Sequence, residues 1–249
     1  MSAPAGPGAR VATRFGVELR LTVRRAENLL AMLVIPVAVL FFFVSLGIPA
    51  DEADPVVFLL PGVLALAIVA SGLVNLGIAT AYERHYGVLK RLGGSPLGRG
   101  QLIVAKLGAV AAFEVVQVVL LLAVAAGALG WSAPGTVNVG LFALAILLGT
   151  AAFAGLGLLL AGTLRAEATL ALANALFLAT LLLGGIVQPL DALPDPLADV
   201  AGLLPGAALA ETLRVALGSG TGAVVAPLAV LAAWAVALPV AAARTFRWE

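Results

Sequence analysis

Glu114 is the only charged residue between Lys106 and Arg165. If that stretch crosses a membrane as a helix, Glu114 lies about 12 Å into the bilayer, since each helical residue rises about 1.5 Å. A carboxylate there is costly, so it faces a cavity or a polar partner, or it is protonated. Gln117, about one turn further, shares its face. Two interpretations stay open: a polar patch on a substrate path that selects cationic amphiphiles, or a protonated residue that hydrogen-bonds between helices for packing.

Asn75 and Asn174 also lie in charge-free apolar runs. Amides in such runs more often join helices than contact ligands, so they are secondary candidates for a substrate path. Catalytic chemistry has little support, because the chain has one histidine, His85, and no cysteine. A catalytic histidine needs a nucleophile and an orienting carboxylate, and a metal site needs several ligands. The sequence therefore predicts no catalytic residue, no metal site and no cofactor bound by this chain.

The charged loop, residues 82–100, interrupts this apolar pattern. Its charged residues are Glu83, Arg84, Lys90, Arg91 and Arg99. They must lie in water, and we predict a short helix from Arg84 to Leu92 that Gly93 and Gly94 end. Val88, Leu89 and Leu92 would form one apolar face flanked by Lys90 and Arg91. Such a helix can enter a partner's groove while its charges fix the register. The alternative is a loop whose leucines rest on lipid headgroups.

The composition indicates what positions these residues. Of 249 residues 62% are hydrophobic and 11% charged, against roughly 25% charged in soluble domains. With about 20 apolar residues per span, we predict an all-α integral membrane protein that forms a single domain over residues 1–249. Its six spans are expected near residues 29–50, 55–81, 107–129, 139–164, 168–187 and 221–243. No nucleic-acid partner is indicated.

Two amphipathic segments lie outside the spans. An N-terminal helix places Val11, Phe15 and Leu19 on one face and arginines, including Arg14, on the other, which predicts a helix in the membrane surface. Between spans five and six, Asp195-Pro196 and Leu204-Pro205 each resemble a helix start, which predicts two short helices on the outer side. Glu211 and Arg214, at i and i+3 on the second, are outer gate candidates.

The orientation follows from the positive residues, which are retained on the cytoplasmic side. Thirteen of the 14 Lys and Arg residues fall on the side of the N-terminus and the charged loop, and only Arg214 falls on the other. The loop of Asp51, Glu52 and Asp54 lies on that other side. We therefore predict a multi-pass plasma-membrane protein with both termini and the charged loop in the cytoplasm.

The charged loop and the outer segment resemble those of the type-2 ABC transporter permeases. The resemblance rests on Glu83-Arg84, Gly87-Val88-Leu89, Lys90-Arg91, Ser95-Pro96-Leu97, Gly98-Arg99 and Lys106, and on the outer Leu-Pro opening, central Pro and closing Glu and Arg. His85-Tyr86, Val88 and Gly98 depart from the family pattern. The resemblance implies that the short helix is the coupling helix, with Glu83, Arg84, Val88, Leu89, Lys90, Arg91 and Leu92 as the ATPase-coupling residues.

The motor must then lie in another subunit. A phosphate-binding loop needs Gly-Lys followed by Ser or Thr, and the two lysines follow Leu89 and Ala105. The resemblance implies an ABC ATP-binding subunit that holds ATP and Mg²⁺, and a second permease copy, the same or a related chain. The expected function is export of a hydrophobic or amphipathic substrate, such as a drug, an antibiotic or a lipid. The alternatives are a membrane-embedded enzyme of lipid or isoprenoid metabolism and a membrane assembly factor.

Overall fold

The structure, a computed structural model, describes residues 6–24, 26–48, 54–94, 97–220 and 223–245, with the backbone alone for residues 26–29 and 31. Six residues on which the sequence predictions rest lie outside the described ranges. They are Asp51, Glu52, Ser95 and Pro96, together with Arg25 and Arg247 from the count of positive residues. Over the described ranges the regular elements are all helical and there is no strand. The predicted all-α fold is confirmed.

The helices follow one another through short connections. Their bounds are α1 Pro7–Arg24, α2 Ala26–Ser45, α3 Pro55–Val69, a π-helix Ala70–Leu76, α4 Gly77–His85, α5 Val88–Gly93, α6 Arg99–Ala128, α7 Val139–Thr163, α8 Ala166–Leu183, a 3₁₀ turn Leu190–Ala192, α9 Asp195–Gly202, α10 Pro205–Ala216 and α11 Val225–Thr245. The two short helices α9 and α10 form where the proline signals predicted them.

Five helices in the described part of the chain are long and apolar enough to cross a membrane. They are Pro55–His85, Arg99–Ala128, Val139–Thr163, Ala166–Leu183 and Val225–Thr245. The first is continuous through α3, the π-helix and α4, and is called span two below. A shorter apolar stretch, Met32–Ser45, lies within α2. The molecule is a multi-pass membrane protein.

Span two forms the centre of the bundle. It is the most buried of the five long helices and packs against α2, α7, α8 and α10. Its π-helix lies beside a glycine contact with α7: a Cβ on Gly157 would come within 2.5 Å of the Gly72 carbonyl oxygen. Backbone contact this close requires that neither residue carry a side chain. No sequence pattern predicted the π-helix, whose wider turn changes which residues share a face.

The helix starts are fixed by side chains that satisfy free backbone N–H groups. Asp54 accepts a hydrogen bond from the Val56 N–H before α3, and Asn138 accepts one from the Leu141 N–H before α7. Gly98 N–H donates to the Gln101 side chain at the start of α6. Helix α6 therefore begins at Arg99, before the predicted span of residues 107–129, and Lys106 lies two turns inside it.

Side-chain contacts bring the positively charged segments to one end of the bundle, called the basic end here. Lys106 of α6 contacts Glu18 of α1 and Glu83 of α4, and Arg84 donates to the Leu164 carbonyl between α7 and α8. At the opposite end, the Asn138 N–H donates to the Ala216 carbonyl, which joins the start of α7 to the end of α10.

Candidate functional site

The charged loop folds as two helices with a sharp turn between them. Helix α4 continues to His85, Gly87 takes a left-handed conformation (φ +71°), and α5 begins at Val88 rather than at the predicted Arg84. The turn needs glycine because that φ is strained for residues with a Cβ. The Tyr82 and Tyr86 rings stack with centroids 6.1 Å apart, and the His85 ring meets Tyr86 edge to face at 5.1 Å.

The predicted apolar face of α5 is divided between the interior and the surface. Leu89 is fully buried against Leu102 of α6, and Leu92 and Leu97 pack beside it. Val88 is 39% exposed, and Lys90 and Arg91 are exposed as well. The residues of the predicted face therefore have two different surroundings. Leu89 anchors α5 to its own protomer, whereas Val88, Lys90 and Arg91 form the surface that another molecule can touch.

Glu83 and Arg84, also predicted as coupling residues, point inward. Glu83 is buried and accepts a hydrogen bond of 2.8 Å from the Lys106 ammonium. Arg84 donates to the Leu164 carbonyl. These two residues hold the charged loop to α6 and to the connection before α8, so they can position the loop without themselves contacting a partner.

A main cavity of about 640 Å³ opens between α2, span two and α8. Its walls are mostly apolar, and both predicted path residues Asn75 and Asn174 line it. Tyr82, Glu83 and Tyr86 line its basic end. The Asn174 amide donates to the Leu170 carbonyl of its own helix, so its carbonyl oxygen is left for other partners. This volume is within the roughly 300–1,000 Å³ typical of small-molecule sites.

Glu114 and Gln117 lie elsewhere, in the contacts between helices. Glu114 is fully buried, and the Thr150 hydroxyl of α7 is within hydrogen-bond distance of both its Oε2 and the Ile146 carbonyl oxygen. A hydroxyl has one hydrogen, so it cannot donate to both at once; a protonated carboxyl would complete the pair. Neither residue lines the main cavity. This placement favours the packing interpretation of Glu114.

Gln117 joins three helices through its amide. Its Nε2 donates to the Met32 carbonyl of α2 at 2.6 Å, and its Oε1 accepts from the Ser71 hydroxyl of span two at 3.0 Å. Both ends of this buried side chain are therefore satisfied within the protomer. Gln117 acts in the structure as a connection between α2, span two and α6.

The outer gate candidates lie at the opposite end of the bundle. Arg214 forms an ion pair with Glu211 at 3.4 Å, and its guanidinium lies 4.2 Å from the centre of the Phe58 ring. It also donates to the Gly185 carbonyl. Since Arg214 is buried, these contacts tie α10 to α3 and to the segment after α8. The sequence predicted the pair with Glu211 but not these further contacts.

Four charged side chains form an ion cluster at the basic end that the sequence did not predict as a site. Its members are Arg14, Glu18, Glu83 and Lys106. Arg14 was expected on the exposed face of a surface helix, but it is largely buried beside Glu18, with 2.5 Å between Nη2 and Oε1. One local signal existed: Glu18 is the only acid in the first 26 residues and follows Arg14 by one turn.

The fold and the main cavity indicate the class of protein. Over the described residues no group of three or more Asp, Glu or His side chains could hold a metal ion. Long apolar helices surround an apolar cavity with a few amides, an arrangement that suits passage or binding of a small molecule. The molecule is thus an α-helical membrane protein of a class that can bind or pass a small molecule.

A sequence profile of the ABC-2 type transporter family matches residues 14–217, and the chain belongs to this family. The match runs from the middle of α1 to the end of α10. The chain is therefore a transmembrane component of an ABC transporter, a class that transports rather than catalyses and that works with ABC ATP-binding subunits. No curated protein matches the chain.

Proposed function

We propose that the chain is the permease of an ATP-driven exporter that moves a hydrophobic or amphipathic substrate, drug-like, antibiotic or lipid-like, out of the cytoplasm. The main cavity is the observation that carries this proposal. Its lining runs along span two from Leu66, near the middle of the helix, and reaches Tyr86, which follows the last residue of this span at the basic end. The apolar walls fit the body of such a substrate, and Asn75, Asn174 and the tyrosines can hydrogen-bond its polar groups.

The basic end is the cytoplasmic end in this proposal, because it holds nearly all of the Lys and Arg residues. Both termini then lie in the cytoplasm. A separate ABC ATP-binding subunit, carrying ATP and Mg²⁺, would meet α5 there, where Val88, Lys90 and Arg91 are exposed. ATP binding would move α5, and the buried Leu89 would pass this motion to α6.

A second permease copy is proposed to cover the open side of the main cavity. Along α8 the buried residues are Ala166, Thr169 and Ala173, whereas Leu170, Leu172, Leu178 and Leu182 are exposed. Ala168, Ala171 and Ala175 are exposed beside these leucines, and small residues on an exposed face permit close packing of membrane helices. A homodimer is the simplest assembly, with a related permease as the alternative, and the substrate would pass outward between the two copies.

The test begins with the partner. The tagged chain is purified from its native membrane, and an ABC ATP-binding subunit is expected to co-purify in equal amount. The complex is then placed in vesicles with rhodamine 6G or NBD-labelled ceramide as probes, and we expect ATP-dependent movement of at least one. A preparation without any ATP-binding subunit would contradict the proposal and favour a membrane enzyme or an assembly factor.

The cavity assignment is tested by blocking it after folding. Because the chain has no cysteine, Val74→Cys provides one thiol in the main cavity, and Val119→Cys provides a matched thiol on an exposed face of α6. We expect N-ethylmaleimide to reduce probe transport about tenfold or more in Val74→Cys, since the adduct occupies the path, and to leave Val119→Cys unchanged. Equal effects at both positions would remove the cavity from the transport path.

Glu114→Gln is expected to leave transport nearly unchanged. The amide is neutral, has the same shape and can donate to Thr150, so the contact between α6 and α7 is retained. Uptake of rhodamine 6G, a cation, is compared with that of NBD-ceramide, which is neutral. Selective loss of rhodamine uptake would support instead the interpretation in which Glu114 selects cations on the substrate path.

A further inference from the structure

The ion cluster joins three elements that are distant in sequence. Lys106 Nζ of α6 lies 2.8 Å from Glu83 Oε2 of α4 and 3.1 Å from Glu18 Oε1 of α1. Arg14 Nη2 lies 2.5 Å from the same Glu18 oxygen and 4.0 Å from Glu83. The Lys106–Glu83 contact has hydrogen-bond geometry, whereas the Glu18 contacts are ion pairs by distance.

The burial of this cluster makes it difficult to open. Lys106 is 1% exposed, and the other three side chains are about 10% exposed. Two cations and two carboxylates make the group neutral, so the pairs compensate one another where water is scarce. Removing one member leaves an uncompensated buried charge, which is strongly destabilising. Separation of α1 from α4 and α6 would have the same consequence.

Apolar packing reinforces the same connection. The Phe15 ring of α1 lies against Gly108 of α6, 3.3 Å from where a Cβ would be. This contact is about one turn along α1 from Glu18 and about half a turn along α6 from Lys106. The two helices are thus held by charge and by shape at neighbouring points. Glu83 extends the connection to α4, which leads directly into the charged loop.

We propose that the ion cluster is a permanent joint that makes α1, α4 and the start of α6 one rigid body, with Lys106 as its central positioning residue. This inference rests on the proposed function, in which an ATP-binding subunit drives the charged loop. The joint transmits that motion to α1, and α1 is followed directly by α2, which borders the main cavity. The N-terminal helix is then part of the transmission apparatus and not only a helix in the membrane surface.

Lys106→Met in the full complex tests the joint. We expect ATP hydrolysis to stay within about twofold of the wild type while probe transported per ATP falls about tenfold, the scale of a typical coupling between sites. Lys106→Arg keeps the charge and should restore most of the coupling. Arg244→Met removes an exposed cation from α11 and should change neither quantity.

A distance measurement separates coupling from general loss of stability. Spin labels at Thr13→Cys in α1 and His85→Cys in α4, both exposed in a chain without native cysteine, report the distance across the joint. We expect a narrow distribution with one mean in nucleotide-free and ATP-trapped complexes, and a broad one in Lys106→Met. The same labels in the chain without its partner test the rigid body independently of transport. A failure of the rigid-body proposal is therefore distinguishable from a failure of the proposed function.

Three outcomes would overturn the joint. ATP hydrolysis and transport could fall in equal proportion in Lys106→Met, transport could be unchanged, or the wild-type distance could shift between nucleotide states. If Lys106→Met does not accumulate in membranes, Glu18→Gln replaces it, because the Lys106–Glu83 pair then remains. The same loss of transport per ATP is expected there, and unchanged transport would again overturn the proposal.

Discussion

Gly157→Leu is expected to prevent assembly of the bundle. A Cβ at this position would lie 2.5 Å from the Gly72 carbonyl oxygen and 3.1 Å from that of Leu73. Both atoms belong to the backbone of span two, so no side chain can rotate away, and the helices must separate. Overpacking typically costs about 1–3 kcal/mol and occasionally more, and a clash with backbone atoms that cannot move aside lies at the top of that range or above it. That is a large part of a typical total stability of about 5–15 kcal/mol.

The measurement is the yield of monodisperse protein in detergent and its thermal midpoint. Gly127→Leu is the matched control, since Gly127 of α6 has open space around the position of a Cβ. It makes the same change in a long apolar helix without a clash. Equal yields and midpoints for the two variants would show that α7 and span two do not touch at this glycine.

Reversing two charges on α5 should separate the permease from its motor. Lys90 and Arg91 are exposed, so the double variant Lys90→Glu, Arg91→Glu leaves the buried Leu89 anchor in place. A partner surface that pairs with these two cations would then face two carboxylates of its own sign. Like charges brought together at an interface cost several kcal/mol, and each step of about 1.4 kcal/mol changes the affinity tenfold. We therefore expect affinity for the ATP-binding subunit to fall roughly a hundredfold or more.

This effect is measured by co-purification and by ATP-dependent transport of the probe. Arg244→Glu reverses an exposed charge on α11 and serves as the control, for which full binding is expected. The thermal midpoint of the isolated chain should be the same in the double variant and the wild type. If the double variant retains its partner and its transport, α5 is not the docking surface, and the interpretation of the charged loop as a lipid-facing loop becomes the better one.

Much of the architecture could be predicted because it depends on local sequence. Apolar runs of about 20 residues indicate spans wherever they occur, and prolines in the first turn mark α9 and α10. The family resemblance also rested on a contiguous block, the charged loop. The predicted α5 began four residues too early because Gly87, which looks like an ordinary helix residue in the sequence, takes a left-handed turn.

Side-chain directions could not be predicted from the same patterns. Asn75 and Glu114 are both polar residues in apolar helices, yet the first lines the main cavity and the second lies between α6 and α7. The π-helix at Ala70–Leu76 shifts the angular register of span two, so counting residues along an ideal helix gives the wrong face beyond it. The sequence likewise predicts that Glu83 is a surface charge, whereas in the structure it is buried.

By itself the sequence determined the class: an apolar chain with several spans, one strongly basic side, no phosphate-binding loop and a charged loop typical of ABC-2 permeases. The tertiary structure decided which of the charged and polar residues face the cavity, the surface or one another. The ion cluster is the clearest case, since Glu18, Glu83 and Lys106 meet only after α1, α4 and α6 pack together. The effect of a charged residue on stability cannot be predicted until its neighbours are known, because desolvation and pairing depend on three-dimensional distance and not on separation along the chain.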